Sequence, residues 1–184
     1  LHERWLRTAH MITANAWQTV PQWEGRPDIM IITDASTSKS LGGFVICDGG
    51  LPRMASFPMH LRDIDVMEAE AVLAALKEVR HGAHIAVFTD NTAVMYGINR
   101  RHSMSPQLND TLRRILQAAD GRHLSAMYIP TDVNPADPLS RGLPLSHEHR
   151  HTIETLWCTQ ARMWGGGGWL ADPMNMFQRS MSLV

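Results

Sequence analysis

The order in which apolar segments change their period limits this chain most. Between Asp28 and Met59 it runs in short apolar stretches joined by glycines: DIMIIT at 28–33, GFVIC at 43–47 and a third around Arg53 to Met59, with Gly42-Gly43 and Gly49-Gly50 at the joins. Runs this short, bounded by polar or turn residues, read as strands, and three in succession read as an antiparallel meander. The pattern then switches. Val66 to Val79 contains no helix breaker and carries Met67, Ala71, Leu73, Ala74 and Leu76, which predicts a packed helix that Gly82 ends. AHIAVFT at 83–89 is a fourth strand, Asn91 to Asn99 and Pro106 to Ala119 read as helices around a short link, and His123 to Ile129 is a fifth strand. The expected class is α/β: a five-stranded mixed sheet, three antiparallel strands then two parallel ones, flanked by helices.

On either side of this unit, placed at 28–142, the reading is thinner. Residues 1–27 carry Trp5, Leu6, Ala9, Ile12 and Trp17 at loosely helical spacing before Pro21, as a connection to an upstream domain would. Residues 143–184 offer a His-rich helix from Ser146 to Trp164, four glycines at 165–168 and a Met-rich tail. A start at Leu1 rather than Met reads as a piece of a larger protein. His147, His149 and His151 read as exposed helix residues after a Ser146 cap, because no partner metal ligand is evident. Trp157, Trp164 and Trp169 read as packing residues rather than base-stacking ones.

The formal charge of −1 excludes a global electrostatic pull toward polyanions, so a nucleic-acid partner would need a local patch or bound cations. Cys47 and Cys158, far apart in the chain, read as free thiols of an intracellular protein, cytoplasmic or nuclear. No apolar run approaches the ~20 residues that span a bilayer, so no membrane association is expected.

Carboxylates at apolar strand ends are costly unless paired, solvated or bound to metal. Asp34, in IIT-Asp-Ala-Ser, and Asp90, in VFT-Asp-Asn-Thr, each follow an apolar strand and a threonine. Parallel pairing of the first and fourth strands would bring both to one sheet edge, where a divalent cation would relieve their repulsion. Singly, each is also an ordinary capping sequence. A third acid would come from the start of the long helix, where either Glu68 or Glu70 could serve.

Four motifs, TDAS at 33–36, EAEAVLAAL at 68–76, TDN at 89–91 and NPADPLSRG at 134–142, are spread over residues 28–142. Through them this stretch resembles the RNase H domains of retroelement reverse transcriptases, and the last resembles the closing motif of the hepadnavirus-like and DIRS-like types. The resemblance selects Glu68 over Glu70, since Glu68 puts Ala71, Ala75 and Leu76 on the family's pattern; Glu70 then falls about 200° around the helix. It adds Asp137 as a fourth acid. It implies an RNase H-like fold and hydrolysis of the RNA strand of RNA–DNA hybrids with two ions, Mg²⁺ or Mn²⁺, held by Asp34, Glu68, Asp90 and Asp137. All-oxygen ligands suit such hard cations. It also implies an upstream polymerase domain in the same polyprotein. Two family features are missing: no histidine occurs between Pro130 and Ala136, and the link from Asn99 to Pro106 has no room for a basic extra helix.

For hybrid binding, Ser36 and Asn91 are candidate partners of RNA 2′-hydroxyls. Arg100, Arg101, Arg113 and Arg114 form the one concentrated basic stretch and read equally as phosphate contacts or as a solvated helix face. The alternative from another class is a catalytically silent structural or nucleic-acid-binding module, against which the presence of all four acids argues. Asn134 is expected to cap a short helix that Gly142 closes.

Overall fold

The computed structural model describes residues 27–60 and 63–163. The expected N-terminal helix, the four glycines, Trp164, Trp169 and the Met-rich tail lie outside the described residues. Strands β1 (Ile29–Ser36), β2 (Leu41–Cys47), β3 (Arg53–Pro58), β4 (His84–Thr89) and β5 (His123–Tyr128) make one sheet in the order β3-β2-β1-β4-β5. β1–β2 and β2–β3 pair antiparallel, and β1–β4 and β4–β5 pair parallel, as the sequence predicts.

Helices α1 (Ile64–Lys77), α2 (Thr92–Arg100), α3 (Pro106–Ala119), α4 (Asp137–Ser140) and α5 (His147–Met163) complete the fold. The central strands are buried on both sides, which is why β1 and β4 read as continuous apolar runs rather than alternating ones. Along β1 the side chains still divide by parity. Ile29 and Ile31 join a core with Phe44, Val72, Leu76, Ile98, Leu112 and Ile115 beneath α1, α2 and α3. Met30 and Ile32 join a second core with Val45, Phe88, Ile129, Leu139, Leu145 and Ile153 on the opposite face, against which the half-buried Trp157 packs. Each fully buried side chain of this kind contributes about 1.5–3 kcal/mol.

Several boundaries differ from the sequence expectation by a few residues, the second strand for one beginning at Leu41, and two of the differences have identifiable reasons. The first strand does not stop at Thr33. Its parallel ladder with β4 ends at Ile32↔Phe88, but antiparallel pairing with β2 continues through Asp34↔Gly43 to Ser36↔Leu41, so Asp34 sits inside a strand. The long helix begins at Ile64 rather than Val66, because the Asp63 carboxylate caps it by accepting from the backbone N–H of Asp65 and Val66 at 3.0 and 3.3 Å. Glu68 therefore lies in the second turn. Both cysteines are free, Cys47 buried and Cys158 exposed. Among the described residues no helix is long and apolar enough to cross a membrane.

Candidate active site

At the edge where the parallel ladders end, a cleft of about 250 Å³ is lined by Asp34, Glu68, Asp90, Asp137, Thr131 and Arg141, with Ser36 and Asn91 at its wall. Four elements deliver its acids. β1 carries Asp34, which shares the parity of Met30 and Ile32. α1 carries Glu68, buried with Met67, Ala69 and Ala71 on the face that meets the sheet. Asp90 follows the last residue of β4, and Asp137 opens α4.

One carboxylate oxygen from each of Asp34, Glu68 and Asp90 lies within 4.8 Å of the other two. Asp34 is 4% and Glu68 3% exposed, so water screens this concentration of charge little. The Asp34 carboxyl is pushed up to about 7, first by burial and then by Asp90 and Asp137, against an opposing hydrogen bond from Ser140 and the charge of Arg141. Burial, with Asp34 and Asp90, pushes Glu68 up to about 9. Asp90 is also raised, chiefly by burial, although the Thr131 hydroxyl donates to its Oδ2 at 2.5 Å. Glu68 Oε1 accepts from the Ala35 backbone N–H at 2.9 Å, whereas its Oε2 is buried with no hydrogen-bond partner among the described residues.

Acids that resist ionisation, together with a buried carboxylate oxygen lacking a donor, describe a site short of positive charge. The donor set is all oxygen, which fits a hard divalent cation and not a soft one. Asp34, Glu68 and Asp90 could hold such an ion directly. Asp137 lines the same cleft, but its carboxylate is engaged by Arg141: Nε reaches both oxygens at 2.9 Å and Nη2 reaches Oδ1 at 2.7 Å.

Close packing fixes the position of Asp137. α4 lies flush on β2, and a Cβ built on Gly43 would come within 2.6 Å of Leu139 Cβ and 2.8 Å of the Ser140 backbone nitrogen. Gly43 is also the register partner of Asp34, so one glycine lets two acid-bearing elements approach. Asn134 does a different job from the one its sequence suggests. The residue preceding α4 is Ala136, with no side-chain cap. Asn134, fully buried, donates from Nδ2 to the Thr33 carbonyl at 3.1 Å and accepts at Oδ1 from the Ala136 N–H at 3.0 Å. It ties the segment before Asp137 to the strand that carries Asp34.

The other candidates divide. The Ser36 hydroxyl lies 3.1 Å from that of Ser38. Asn91 caps α2 through Oδ1 to the Val94 N–H, and its Nδ2 donates to Asp65 at 2.7 Å, so most of its amide is committed to structure. None of Arg100, Arg101, Arg113 and Arg114 lines the cleft. Arg100 lies over the Tyr96 ring, Arg101 takes the left-handed conformation that ends α2, and Arg113 pairs with Asp110 on its own helix. Arg114 grips Glu70 with two nitrogens while Thr111 donates to the same carboxylate. Glu70 thus joins α1 to α3. His147 and His151 are exposed, and His149 Nδ1 lies 2.8 Å from the Ser146 hydroxyl. Among the described residues the metal-ligand grouping is the acidic one.

Sequence reasoning overlooked Arg141, Thr131 and Asp65. Arg141 stands four residues after Asp137, the spacing of an intrahelical ion pair, and Asp65 stands three before Glu68 on the same helix face. Those intervals were readable; Thr131, 41 residues from Asp90, offered no local signal.

The sequence matches no protein-family model and no curated protein. Among solved structures, the N-terminal RNase H domain of a Mycobacterium tuberculosis protein, determined as a maltose-binding-protein fusion, superposes with TM-score 0.50. It is 18% identical, and the match covers 62% of this chain and 97% of that one. RNase H1 of the halophilic archaeon Halobacterium salinarum, also 18% identical, gives TM-score 0.48 over 61% of this chain and 91% of its own. With the strand order and pairing above, the likeness to the mycobacterial domain shows that this chain has the RNase H-like fold.

Proposed function

We propose that this protein is a ribonuclease H that hydrolyses the RNA strand of RNA–DNA hybrids with two divalent ions, Mg²⁺ or Mn²⁺. The observation that carries the reading is the meeting of Asp34, Glu68 and Asp90 within 4.8 Å, around a buried Glu68 oxygen without a donor, in an RNase H-like fold. Asp137 is proposed as the fourth ligand. A divalent cation, when bound, supplies the charge that acidifies water for attack on phosphorus and neutralises the departing oxygen.

The protein's own groups prepare that chemistry. The Ala35 N–H fixes Glu68 by one oxygen and leaves the other for a ligand. Thr131 orients Asp90. Burial keeps these carboxylates in a medium where their interaction with a cation is strong. Ser36 and Asn91 are proposed to meet RNA 2′-hydroxyls at the cleft wall, Asn91 with the part of its amide that capping leaves over. Arg100, Arg101, Arg113 and Arg114 are proposed as phosphate contacts farther along the hybrid.

In the wider reading, residues 28–142 are the nuclease unit of an intracellular retroelement reverse transcriptase. Residues 1–27 lead from its polymerase domain, and 143–184 form a C-terminal extension. The NPADPLSRG motif at 134–142 and the absent basic helix support that context.

The test is incubation with an end-labelled RNA–DNA hybrid in Mg²⁺ or Mn²⁺. Endonucleolytic RNA cleavage is expected, falling at least about 100-fold in Asp34→Asn and Glu68→Gln, the scale of losing a group that stabilises a transition state. Cleavage that survives either substitution sinks the site. Absence of cleavage with the polymerase domain joined favours the catalytically silent module.

A further inference from the structure

Of the described residues that line the cleft, four are acidic and one, Arg141, is a cation. Its bidentate hold on Asp137 occupies the oxygens that a cation would need. Asp137 stands outside the group formed by Asp34, Glu68 and Asp90. The hold is a weak kind, an i,i+4 pair in which the Arg141 side chain is 49% and the Asp137 side chain 24% exposed. A doubly presented oxyanion can compete for it, and a phosphodiester offers two oxygens to the guanidinium fork. Among the described residues, a hybrid backbone entering this acidic cleft meets no other positive side chain at its wall.

We propose that Arg141 exchanges partners, pairing with Asp137 in the free protein and passing to a backbone phosphate of the hybrid, so that Asp137 is released to ligate the second cation more tightly when substrate is present. The proposal rests on the ribonuclease H reading and deepens it. Arg141 becomes a phosphate-binding residue that makes occupancy by two ions depend on substrate. Free protein then holds its first ion through Asp34, Glu68 and Asp90 and a second less tightly. Mutual help between hybrid and second ion follows, since each favours the state in which the Arg141–Asp137 pair is broken.

The experiment measures Mn²⁺ binding to the full chain by electron paramagnetic resonance at constant pH. It compares wild type, R141Q and R141K, with and without a hybrid made uncleavable by 2′-O-methyl substitution. Wild type should bind a first ion that D34N abolishes and a second about tenfold more weakly, with the hybrid closing the gap, as loss of a charge-assisted hydrogen bond would scale. In R141Q the second ion should bind about tenfold more tightly without hybrid, while KM for a cleavable hybrid rises about tenfold and kcat changes little. R141K keeps the charge without the two-oxygen grip, so it should shift both quantities in the same direction by less; it serves as the test should R141Q fail to fold. Equal second-ion affinity in wild type and the Arg141 variants, or an equal effect of hybrid in all of them, overturns this inference while leaving the ribonuclease H reading intact. Absence of any Mn²⁺ uptake that D34N removes overturns both.

Discussion

Asn134 shows how one residue outside the cleft lining can tie together the segments that carry its acids. Its amide spans from the Thr33 carbonyl to the Ala136 N–H and links the strand of Asp34 to the approach to Asp137, 101 residues apart at the Thr33 contact. A buried amide that satisfies two backbone groups is costly to remove, because both are left without partners in a dry environment. Asn134→Ala should therefore destabilise the fold by about 2–3 kcal/mol in urea unfolding. Activity measured well below the melting temperature should also fall, because Asp137 loses its anchor. A loss under about 0.5 kcal/mol, the scale of an ordinary surface substitution, would show that the bridge holds nothing. The sequence could not distinguish this role from capping. An Asn before a short helix is the same string whether its side chain turns toward that helix or across to another strand.

At the scale of elements, the approach of α4 to β2 is set at Gly43. Its missing side chain admits Leu139 and the Ser140 backbone, and the atom a Cβ would strike most closely after Leu139 Cβ is main chain, which cannot swing aside. Gly43→Ala should push α4 outward, cost about 1–3 kcal/mol as other overpacked sites do, and weaken Mn²⁺ retention through Asp137 more than through the Asp34, Glu68 and Asp90 group. An unchanged melting temperature and unchanged metal retention would remove the reason given for this glycine. Element order, pairing and the α/β class were legible because strand and helix periods differ and because Gly49-Gly50 falls between strands, although Gly42-Gly43 lies inside β2. The end of β1 was not. The IIT-Asp string reads as a strand terminus from its polarity, yet β2 extends the pairing past it, and pairing partners are not written in local sequence. Asp34 and Asp90 were legible as acids at the ends of apolar strands, whereas Glu68 was told from Glu70 by the family resemblance alone. The tie from Glu70 to Arg114, 44 residues away, was not legible, because a charged side chain on a helix is ordinary until its partner is known.

Across the whole molecule, two groups of titrating residues sit at opposite ends of β4 and act on stability with opposite signs. His84, fully buried at the first residue of β4, has its pKa lowered to about 4 by burial and then by His123. Its neutral form is the one the fold accepts, so its contribution is whole above about 6.5 and is lost as pH falls toward 4. At the other end, roughly 20 Å away by strand rise, the cleft acids are raised, Asp34 to about 7 and Glu68 to about 9. Their protonated forms suit the metal-free fold, so that contribution is whole below their ordinary range and is lost as pH rises through those values. Metal-free protein should therefore lose stability as pH rises from 6 to 9, on the order of 2–4 kcal/mol, about 5–10 °C in Tm. Mn²⁺ should lift the alkaline side and leave the acid side as it was, because a cation relieves the carboxylates and is remote from His84. Asp34→Asn should flatten the alkaline side without metal, whereas His84→Gln should alter only the acid side. Melting curves collected in EDTA and in Mn²⁺ from pH 4.5 to 9 decide it. A metal-free Tm that stays level or climbs between pH 6 and 9 would mean that the cleft carboxylates are not held in the strained, charge-poor arrangement on which a cation-dependent site depends.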